Sequence, residues 1–136
     1  MSVVEHGMNR RDADLEKTIA LADGAAAVVS ASIDLGAGSV FLANAEIDIV
    51  APAMNVTEMP NAKTMVYDLQ TSADDSTFTD LYSAVITQTG AGGVGCAAAA
   101  DRIRLPADAE QYIRVQITGD ASGDSTTATG EIRLLT

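Results

Sequence analysis

RIRLPADAEQYIRVQITG, residues 102–119, is the stretch that decides the fold. Apolar and polar side chains alternate on both sides of Pro106: Ile103 and Leu105 precede it, and the run IRVQI follows it. A period of two places every second side chain on the same face, which is typical of half-buried β-strands. Proline cannot donate to a strand ladder, so Pro106 predicts the end of the first strand.

The same alternation recurs along the chain, and short turn-forming segments separate the alternating stretches. We therefore predict an all-β, antiparallel sandwich or barrel of seven or eight short strands. No helix-length segment lies between the strands, so a parallel βαβ arrangement is not indicated. The predicted strands lie near residues 29–35, 46–49, 64–70, 78–89, 102–105, 112–117 and 131–134.

The N-terminal residues differ from the rest of the chain. Leu15, Ile19 and Ala22 fall at helical spacing, which predicts a short helix, although so short a helix is marginal alone. We predict an N-terminal arm over residues 1–22, ordered by contact with a neighbour, and a β-sandwich domain over residues 23–136. The alternative, a helix packed on its own domain, stays open. The candidate interface residues of the arm are Arg10, Arg11, Leu15 and Ile19.

Composition limits the partners that the chain is expected to bind. The 136 residues suit one domain, and 47% are apolar, many of them alanine and valine. Such small side chains predict a modestly stable subunit that benefits from oligomerisation. Lys and Arg total 8 against 19 Asp and Glu, for a net charge of −11. This balance predicts no nucleic-acid partner and no anionic membrane partner.

Few residues offer chemistry, so we predict no cofactor, no metal and no enzymatic activity. His6 is the one histidine and Cys96 the one cysteine, so neither a triad nor an intrachain disulfide is indicated. The glycine-rich residues 90–100 lack a GK[ST] ending and predict a flexible surface loop. Clustered carboxylates predict turns rather than calcium sites. They are Asp74, Asp75, Asp80, Asp120 and Asp124.

Four arginines hold half of the positive charge of the chain. Each lies opposite the apolar face of its own predicted strand, so they would cluster on one exposed sheet face if the strands were neighbours. They would then either pair with acidic residues such as Glu131 or form a protein interface, where arginine is enriched. Both interpretations stay open. These candidates are Arg102, Arg104, Arg114 and Arg133.

Three motifs together carry a family resemblance. They are LQTSADDSTFTDL at residues 69–81, RIRLPADAEQYIRVQITG at residues 102–119, and the final GEIRLLT. In this order they resemble the capsid decoration, or cement, proteins of tailed bacteriophages, including the group typified by a Bordetella phage cement protein. The resemblance implies a jelly-roll-like β-sandwich without catalytic residues, a homotrimer, and attachment to the major capsid protein on the outer surface of the virion, after assembly in the bacterial cytoplasm.

Two other functions remain as alternatives. One is another virion role, such as a tail or head-fibre adaptor. The other is a carbohydrate-binding module, for which Tyr82 and Tyr112 are the available stacking residues. An enzyme is disfavoured because the sequence shows no paired acid–base or nucleophilic constellation.

Overall fold

Strands dominate the part of the chain that the computed structural model describes, which is residues 16–21, 25–35, 45–120 and 128–135. Within these ranges there are nine strands and no α-helix. The strands are β1 (Glu16–Ala20), β2 (Ala27–Val29), β3 (Ile33–Asp34), β4 (Glu46–Ala51), β5 (Thr64–Ser72), β6 (Thr79–Thr89), β7 (Ala99–Arg104), β8 (Tyr112–Thr118) and β9 (Thr129–Leu135).

The strands form two antiparallel sheets. The first has the order β1-β9-β4-β7, and the second has the order β2-β8-β5-β6, with β3 also pairing with β8. β2 and β3 act as one interrupted edge strand, because both pair with β8 on the side away from β5. Ser30 bridges the interruption: its backbone N–H donates to the Val115 carbonyl over 3.0 Å, and its hydroxyl accepts from the Val115 N–H over 3.1 Å.

The strand pairing is nested when β2 and β3 are counted together. The first strand pairs with the last, the second with the second-last, β4 with β7, and β5 with β6. A long hairpin wrapped into two sheets in this way is the jelly-roll topology. The predicted all-β, jelly-roll-like antiparallel sandwich is therefore confirmed, and the predicted strand positions coincide with strands of the structure.

The core lies between the sheets and follows from the alternation. In β4 the side chains of Ile47 and Ile49 face inward, and in β8 those of Ile113 and Ile117 do so, all fully buried. The buried set consists mainly of isoleucine, leucine and methionine, around the one buried aromatic residue of the described ranges, Tyr67. Burying one such side chain contributes roughly 1.5–3 kcal/mol. The small side chains behind the prediction of modest stability therefore do not dominate the core, because many alanines lie in exposed positions of strands and loops.

The helix predicted near the N-terminus is wrong for residues 16–20, which form β1. Residues four apart in the sequence, such as Leu15 and Ile19, share a face in a helix. They also share a face in a strand, where side chains on one face recur every two residues. Pairing with β9, where Ile19 lies opposite Gly130, decides between them. Residues 1–15 and 22–24 lie outside the described residues, so the division into arm and sandwich stays a prediction.

The connections between strands gather at the two ends of the sandwich. The ends of β1, β4, β6 and β8 lie together at one end of the sandwich, which we call the four-loop end because a connection to the next strand begins at each of them. The ends of β3, β5 and β7 lie at the opposite end. Much of the predicted hairpin loop at residues 119–127 lies outside the described residues.

Candidate binding surfaces

A row of alternating charges crosses the outer face of the first sheet. The strand register aligns Glu16 with Arg133, Arg133 with Asp48, and Asp48 with Arg102, one residue from each strand. We call these four residues the charge ladder. Arg133 Nη1 lies 3.4 Å from Asp48 Oδ2, and its Nε lies 3.7 Å from Glu16 Oε2. Arg133 also contacts the Glu131 carboxylate.

Burial decides how much each member of the charge ladder contributes. The side chains of Arg133 and Asp48 are only 19% and 12% exposed, so each needs the other to offset its lost hydration. Arg102 is 56% exposed and its Nη2 lies 3.9 Å from Asp48 Oδ2. An ion pair so exposed contributes about 0–1 kcal/mol. Arg133 is therefore the stabilising centre of the ladder, and Arg102 is its accessible end.

The four candidate arginines do not cluster on one sheet face. Arg102, Arg104 and Arg133 belong to strands of the first sheet, but Arg114 lies on β8 in the second. The Arg114 Nε donates to Gln70 Oε1 over 2.8 Å, and its guanidinium lies 3.8 Å from the ring centre of Phe78. The expectation of one cluster fails because the chain crosses between the sheets from β7 to β8. Use of these residues in an interface stays a prediction.

Of the candidate interface residues in the arm, only Ile19 lies within the described residues. It is half-buried in β1 and packs against the core. Its position supports the sandwich, and a contact with a partner stays a prediction. Arg10, Arg11 and Leu15 lie outside the described residues.

Two loops at the four-loop end are joined into one unit, which we call the two-loop platform (residues 52–63 and 90–98). Met54 and Cys96 exchange two backbone hydrogen bonds of 3.1 and 2.9 Å. The Gly90 carbonyl accepts from the Ala62 N–H over 2.8 Å. The Gly93 N–H donates to Asn61 Oδ1 over 2.9 Å. The prediction that residues 90–100 form a flexible loop is therefore replaced by a hydrogen-bonded turn followed by the start of β7.

Two glycines allow the close approach of the platform loops. A Cβ at Gly90 would lie 2.2 Å from the Pro60 carbonyl oxygen, and one at Gly95 would lie 1.9 Å from the Met54 carbonyl oxygen. Gly95 also has a φ of +79°, which side chains rarely adopt. A side chain at either position would force the two loops apart.

Two buried polar side chains, Gln88 and Tyr67, connect the platform to the core of the sandwich by hydrogen bonds. Gln88 is 4% exposed, and its Nε2 donates to the carbonyl oxygens of Pro52 over 2.8 Å and Ala97 over 3.0 Å, one in each loop. The hydroxyl of Tyr67, which is fully buried, donates to Gln88 Oε1 over 2.9 Å. Burial raises the pKa of Tyr67 well above its usual range, so the phenol stays protonated and remains a donor.

The platform presents apolar side chains to solvent. Val94 is 76% exposed and Val56 is 42% exposed. Val56 follows Asn55, whose Oδ1 accepts from the Thr57 and Glu58 N–H groups, as a helix cap does. The Glu58 carboxylate accepts from the Asn55 N–H over 3.0 Å, which completes a capping box. The turn that carries Val56 is thus held in a defined conformation.

Asp74 fills the turn role predicted for the clustered carboxylates, whereas the same prediction is wrong for Asp80, which lies in β6. Asp74 Oδ1 accepts from the N–H groups of Ser76 and Thr77 and from the Ser72 hydroxyl. The Thr77 bond contributes most to holding the Asp74 pKa below its usual range. Asp80 accepts from Gln70 over 3.0 Å. Among the described residues no group of three or more histidine, cysteine or acidic residues is arranged to hold a metal ion.

The remaining candidates occupy ordinary positions. Tyr82 is 45% exposed on β6, and Tyr112 is half-buried on β8. Cys96 is a half-buried free thiol within the platform, and burial raises its pKa. Asp124 lies outside the described residues. Across the ranges that the structure describes, no helix has the length and apolar character needed to cross a bilayer.

Sequence reasoning missed the residues that build the platform. Tyr67 and Gln88 were not singled out because their hydrogen bond joins positions 21 residues apart. Asn61 carries no motif of its own. The one available signal was the spacing of the glycines at positions 90, 92, 93 and 95, which permits positive φ at several places in a short turn.

Comparison with known proteins gives no family. No family model matches the sequence, and no curated protein matches it. Matching solved structures include that of the infectious bursal disease virus Gt strain, at 14% identity and a TM-score of 0.39, covering 88% of this chain and 28% of that one. The Gx strain structure matches at 13% identity and a TM-score of 0.42, covering 91% and 30%. This chain therefore spans less than a third of those virus chains, and the similarity establishes no shared family.

Proposed function

We propose that this chain is a non-enzymatic structural protein that binds the outer surface of a phage capsid and stabilises the shell by bridging capsomers. Its partner would be the major capsid protein. The motifs at residues 69–81 and 102–119 support the proposal through their resemblance to phage cement proteins. The jelly-roll topology agrees with the fold that this resemblance implies.

The two-loop platform is the observation that carries the proposal. Hydrogen bonds from Gln88, Asn61 and the two backbones fix both loops before any partner arrives. A preordered surface loses little conformational entropy on binding, so more of the contact energy appears as affinity. Val94 at 76% exposure and Val56 at 42% supply apolar contact on this fixed surface.

The charge of the chain favours the outside of the shell. A net charge of −11 repels packaged DNA, whose phosphates line the inside. On the outer surface the same charge keeps an abundant protein soluble before it binds.

The proposed mechanism is mechanical. Each copy would contact two neighbouring capsomers, and a specific contact of standard size buries about 1,200–2,000 Å² in total. Simultaneous contacts to neighbouring capsomers raise the effective affinity, because the second contact forms within the first complex. A shell held in this way would resist the pressure of packaged DNA.

Cosedimentation with expanded, undecorated capsids tests the platform. We expect Val56→Asp and Val94→Asp each to weaken binding by about tenfold, because a buried carboxylate lacks a partner in an apolar contact. Val29→Asp is the matched control: Val29 and Val56 are both 42% exposed, but Val29 lies on β2, outside the platform. Equal loss of binding in Val56→Asp and Val29→Asp would contradict a role for the platform.

The arm is tested in the same assay by deleting residues 1–15. The deletion must stop before Glu16, because residues 16–20 form β1 and pair with β9. We expect weaker capsid binding if Arg10, Arg11 and Leu15 contact the shell. Unchanged binding by this truncated protein would remove the arm from the proposed interface.

A further inference from the structure

Strand β7 forms an edge of the first sheet that is open to solvent. Within the described ranges it pairs with β4 alone. The N–H of Leu105 donates to the Ala45 carbonyl over 2.9 Å, so the odd-numbered residues of β7 bond to β4, because bonded and non-bonded pairs alternate along an antiparallel ladder. The even-numbered residues Ala100, Arg102 and Arg104 therefore direct their N–H and C=O groups away from the sheet, and all three residues are exposed.

The two edges of the second sheet are less suited to take another strand. β6 pairs with β5 through register shifts on either side of Leu69, and Ala84 in β6 has a φ of +53°, so a bulge bends this edge. The opposite edge is divided into β2 and β3 at Ser30. Bulges and short strands are two ways in which proteins protect sheet edges. The ladder between β7 and β4 has no register shift over six residues, so β7 is the edge among these three that offers a regular row of unpaired groups.

The sequence of this edge is complementary to a segment near the start of the chain. Residues 101–105 read DRIRL. Residues 11–15, which lie outside the described residues, read RDADL. Aligned in the same direction, the two segments pair opposite charges at three positions and apolar residues at two. The pairs are Asp101–Arg11, Arg102–Asp12, Ile103–Ala13, Arg104–Asp14 and Leu105–Leu15. Opposite charges that face each other across two strands stabilise their pairing.

We propose that β7 binds residues 11–15 of a second copy of this chain, which add to the first sheet as a parallel strand. A residue in a parallel ladder bonds to the two neighbours of the residue that it faces. In this register the outward carbonyl of Arg102 accepts from the Ala13 N–H, and the outward N–H of Arg104 donates to the Ala13 carbonyl. The exposed guanidinium groups of Arg102 and Arg104 each gain a carboxylate partner. One parallel strand on an antiparallel sheet makes a mixed sheet, which is common in proteins.

The subunit's own arm cannot occupy this edge in the same register. Glu16, Arg133, Asp48 and Arg102 lie in one row across the four strands of the first sheet. Neighbouring strands lie about 4.8 Å apart, so β1 and β7 are separated by about 14 Å. The Cα atom of Leu15 must lie about 3.8 Å from that of Glu16, because the two residues are consecutive. Leu15 of the same subunit therefore cannot lie beside β7, and the segment must come from another subunit.

The parallel register is more complementary than the alternatives. An antiparallel alignment also opposes both arginines with aspartates, but it places a charged residue against a leucine at each end, Asp101 against Leu15 and Arg11 against Leu105. Two copies of β7 paired about Arg102 oppose like charges, which is destabilising. Attraction in one register and mismatch in the others together select a single pairing.

The interface joins two different surfaces of the same chain, so it is head-to-tail. Such an interface closes into a ring or propagates as a filament, and it does not stop at a two-fold dimer. A five-residue strand buries much less than the roughly 1,200–2,000 Å² of a standard interface, so a single junction is weak. Closure of a ring gives every subunit two junctions, which raises the effective affinity. We therefore expect association beyond a dimer at high protein concentration.

Sedimentation velocity of the full-length protein, at low salt and over a range of concentrations, tests this inference. Ala13→Pro removes the N–H that donates to the Arg102 carbonyl of the neighbour. Ala13→Val is its control, because valine keeps this N–H. Asp14→Arg opposes Arg104 with a like charge. Glu110→Arg is its control, because Glu110 is exposed in the loop before β8 and the change in net charge is the same.

We expect Ala13→Pro and Asp14→Arg each to weaken association by about tenfold or more, while both controls associate as the wild type does. Arg104→Asp should restore association to Asp14→Arg. A wild type that stays monomeric throughout, or disrupting variants that associate as well as their controls, would overturn the inference. The disrupting substitutions precede β1 and leave the subunit's own ladders intact, and circular dichroism verifies the fold. The assay contains no capsid, so its outcome is separate from that of the proposed function.

Discussion

Individual glycines control whether the two platform loops can meet. Gly93 and Gly95 both have positive φ, +69° and +79°, so alanine is strained at either position. They differ in space: an added Cβ meets nothing within 4 Å at Gly93, but lies 1.9 Å from the Met54 carbonyl oxygen at Gly95. Alanine at Gly93 therefore tests backbone strain alone, whereas alanine at Gly95 tests backbone strain together with a steric conflict.

We predict that Gly95→Ala destabilises the protein more than Gly93→Ala does. Left-handed backbone alone costs alanine about 1–2 kcal/mol, which both variants share. Gly95→Ala must also displace the platform loop at Met54, and we expect this to remove at least about 1 kcal/mol more. Urea unfolding of both variants measures the difference. Equal free energies of unfolding would show that the loops are not in close contact at this point.

At the residue scale, local patterns predicted turns better than buried polar contacts. Asp74 was expected in a turn because aspartate accepts from nearby backbone N–H groups, and it accepts from Ser76 and Thr77. Gln88 could not be recognised, because its partners Pro52 and Tyr67 are distant in the sequence and become neighbours only in the folded sandwich.

At the scale of the strands, the charge ladder ties the four strands of the first sheet together. Arg133 contacts Glu16, Asp48 and Glu131 from a side chain that is 19% exposed. The Asp48 side chain is 12% exposed and depends mainly on Arg133, since its contact with Arg102 is longer. Removal of Arg133 would leave a largely buried carboxylate without its closest cation.

We predict that Arg133→Met lowers the free energy of unfolding by about 2–3 kcal/mol, because it breaks partly buried, charge-assisted contacts. Methionine keeps much of the aliphatic packing of the arginine stem. Arg104→Met is the control, since Arg104 is exposed on edge strand β7, and it should change stability by less than about 0.5 kcal/mol. Comparable destabilisation of the two variants in urea unfolding would contradict the role of the ladder.

Strand positions were predictable wherever alternation ran without interruption. β5, β8 and β9 match their predicted positions because one face of each is buried. β1 was missed because its apolar residues are spaced by four, which fits a helix as well, and tertiary pairing with β9 determines the outcome. The interruption between β2 and β3 depends on the Ser30 hydroxyl, which no periodicity reveals.

At the scale of the whole molecule, the jelly roll separates two surfaces. The two-loop platform lies at the four-loop end, and the edges β1 and β7 lie along the sides of the first sheet. Under the proposed function, a subunit would contact the shell through its platform end, and the sides of the first sheet would lie outside that contact.

Sheet membership was the part of the fold that the sequence could not provide. The alternation predicted two layers, but it did not show that the chain crosses from the first sheet to the second between β7 and β8. Arg104 and Arg114 consequently lie in different sheets, although they are close in sequence and similar in pattern. Strand order depends on long-range pairing, and local periodicity carries no information about it.

Electron cryomicroscopy of expanded capsids incubated with the protein tests the proposed function most directly. We predict density for jelly-roll subunits on the outer surface, positioned over the boundaries between capsomers, with the four-loop end and Val94 directed at the shell. Bare capsids after incubation at saturating protein would contradict capsid binding. Subunits bound within a single capsomer, or with the platform directed at solvent, would contradict bridging through this surface.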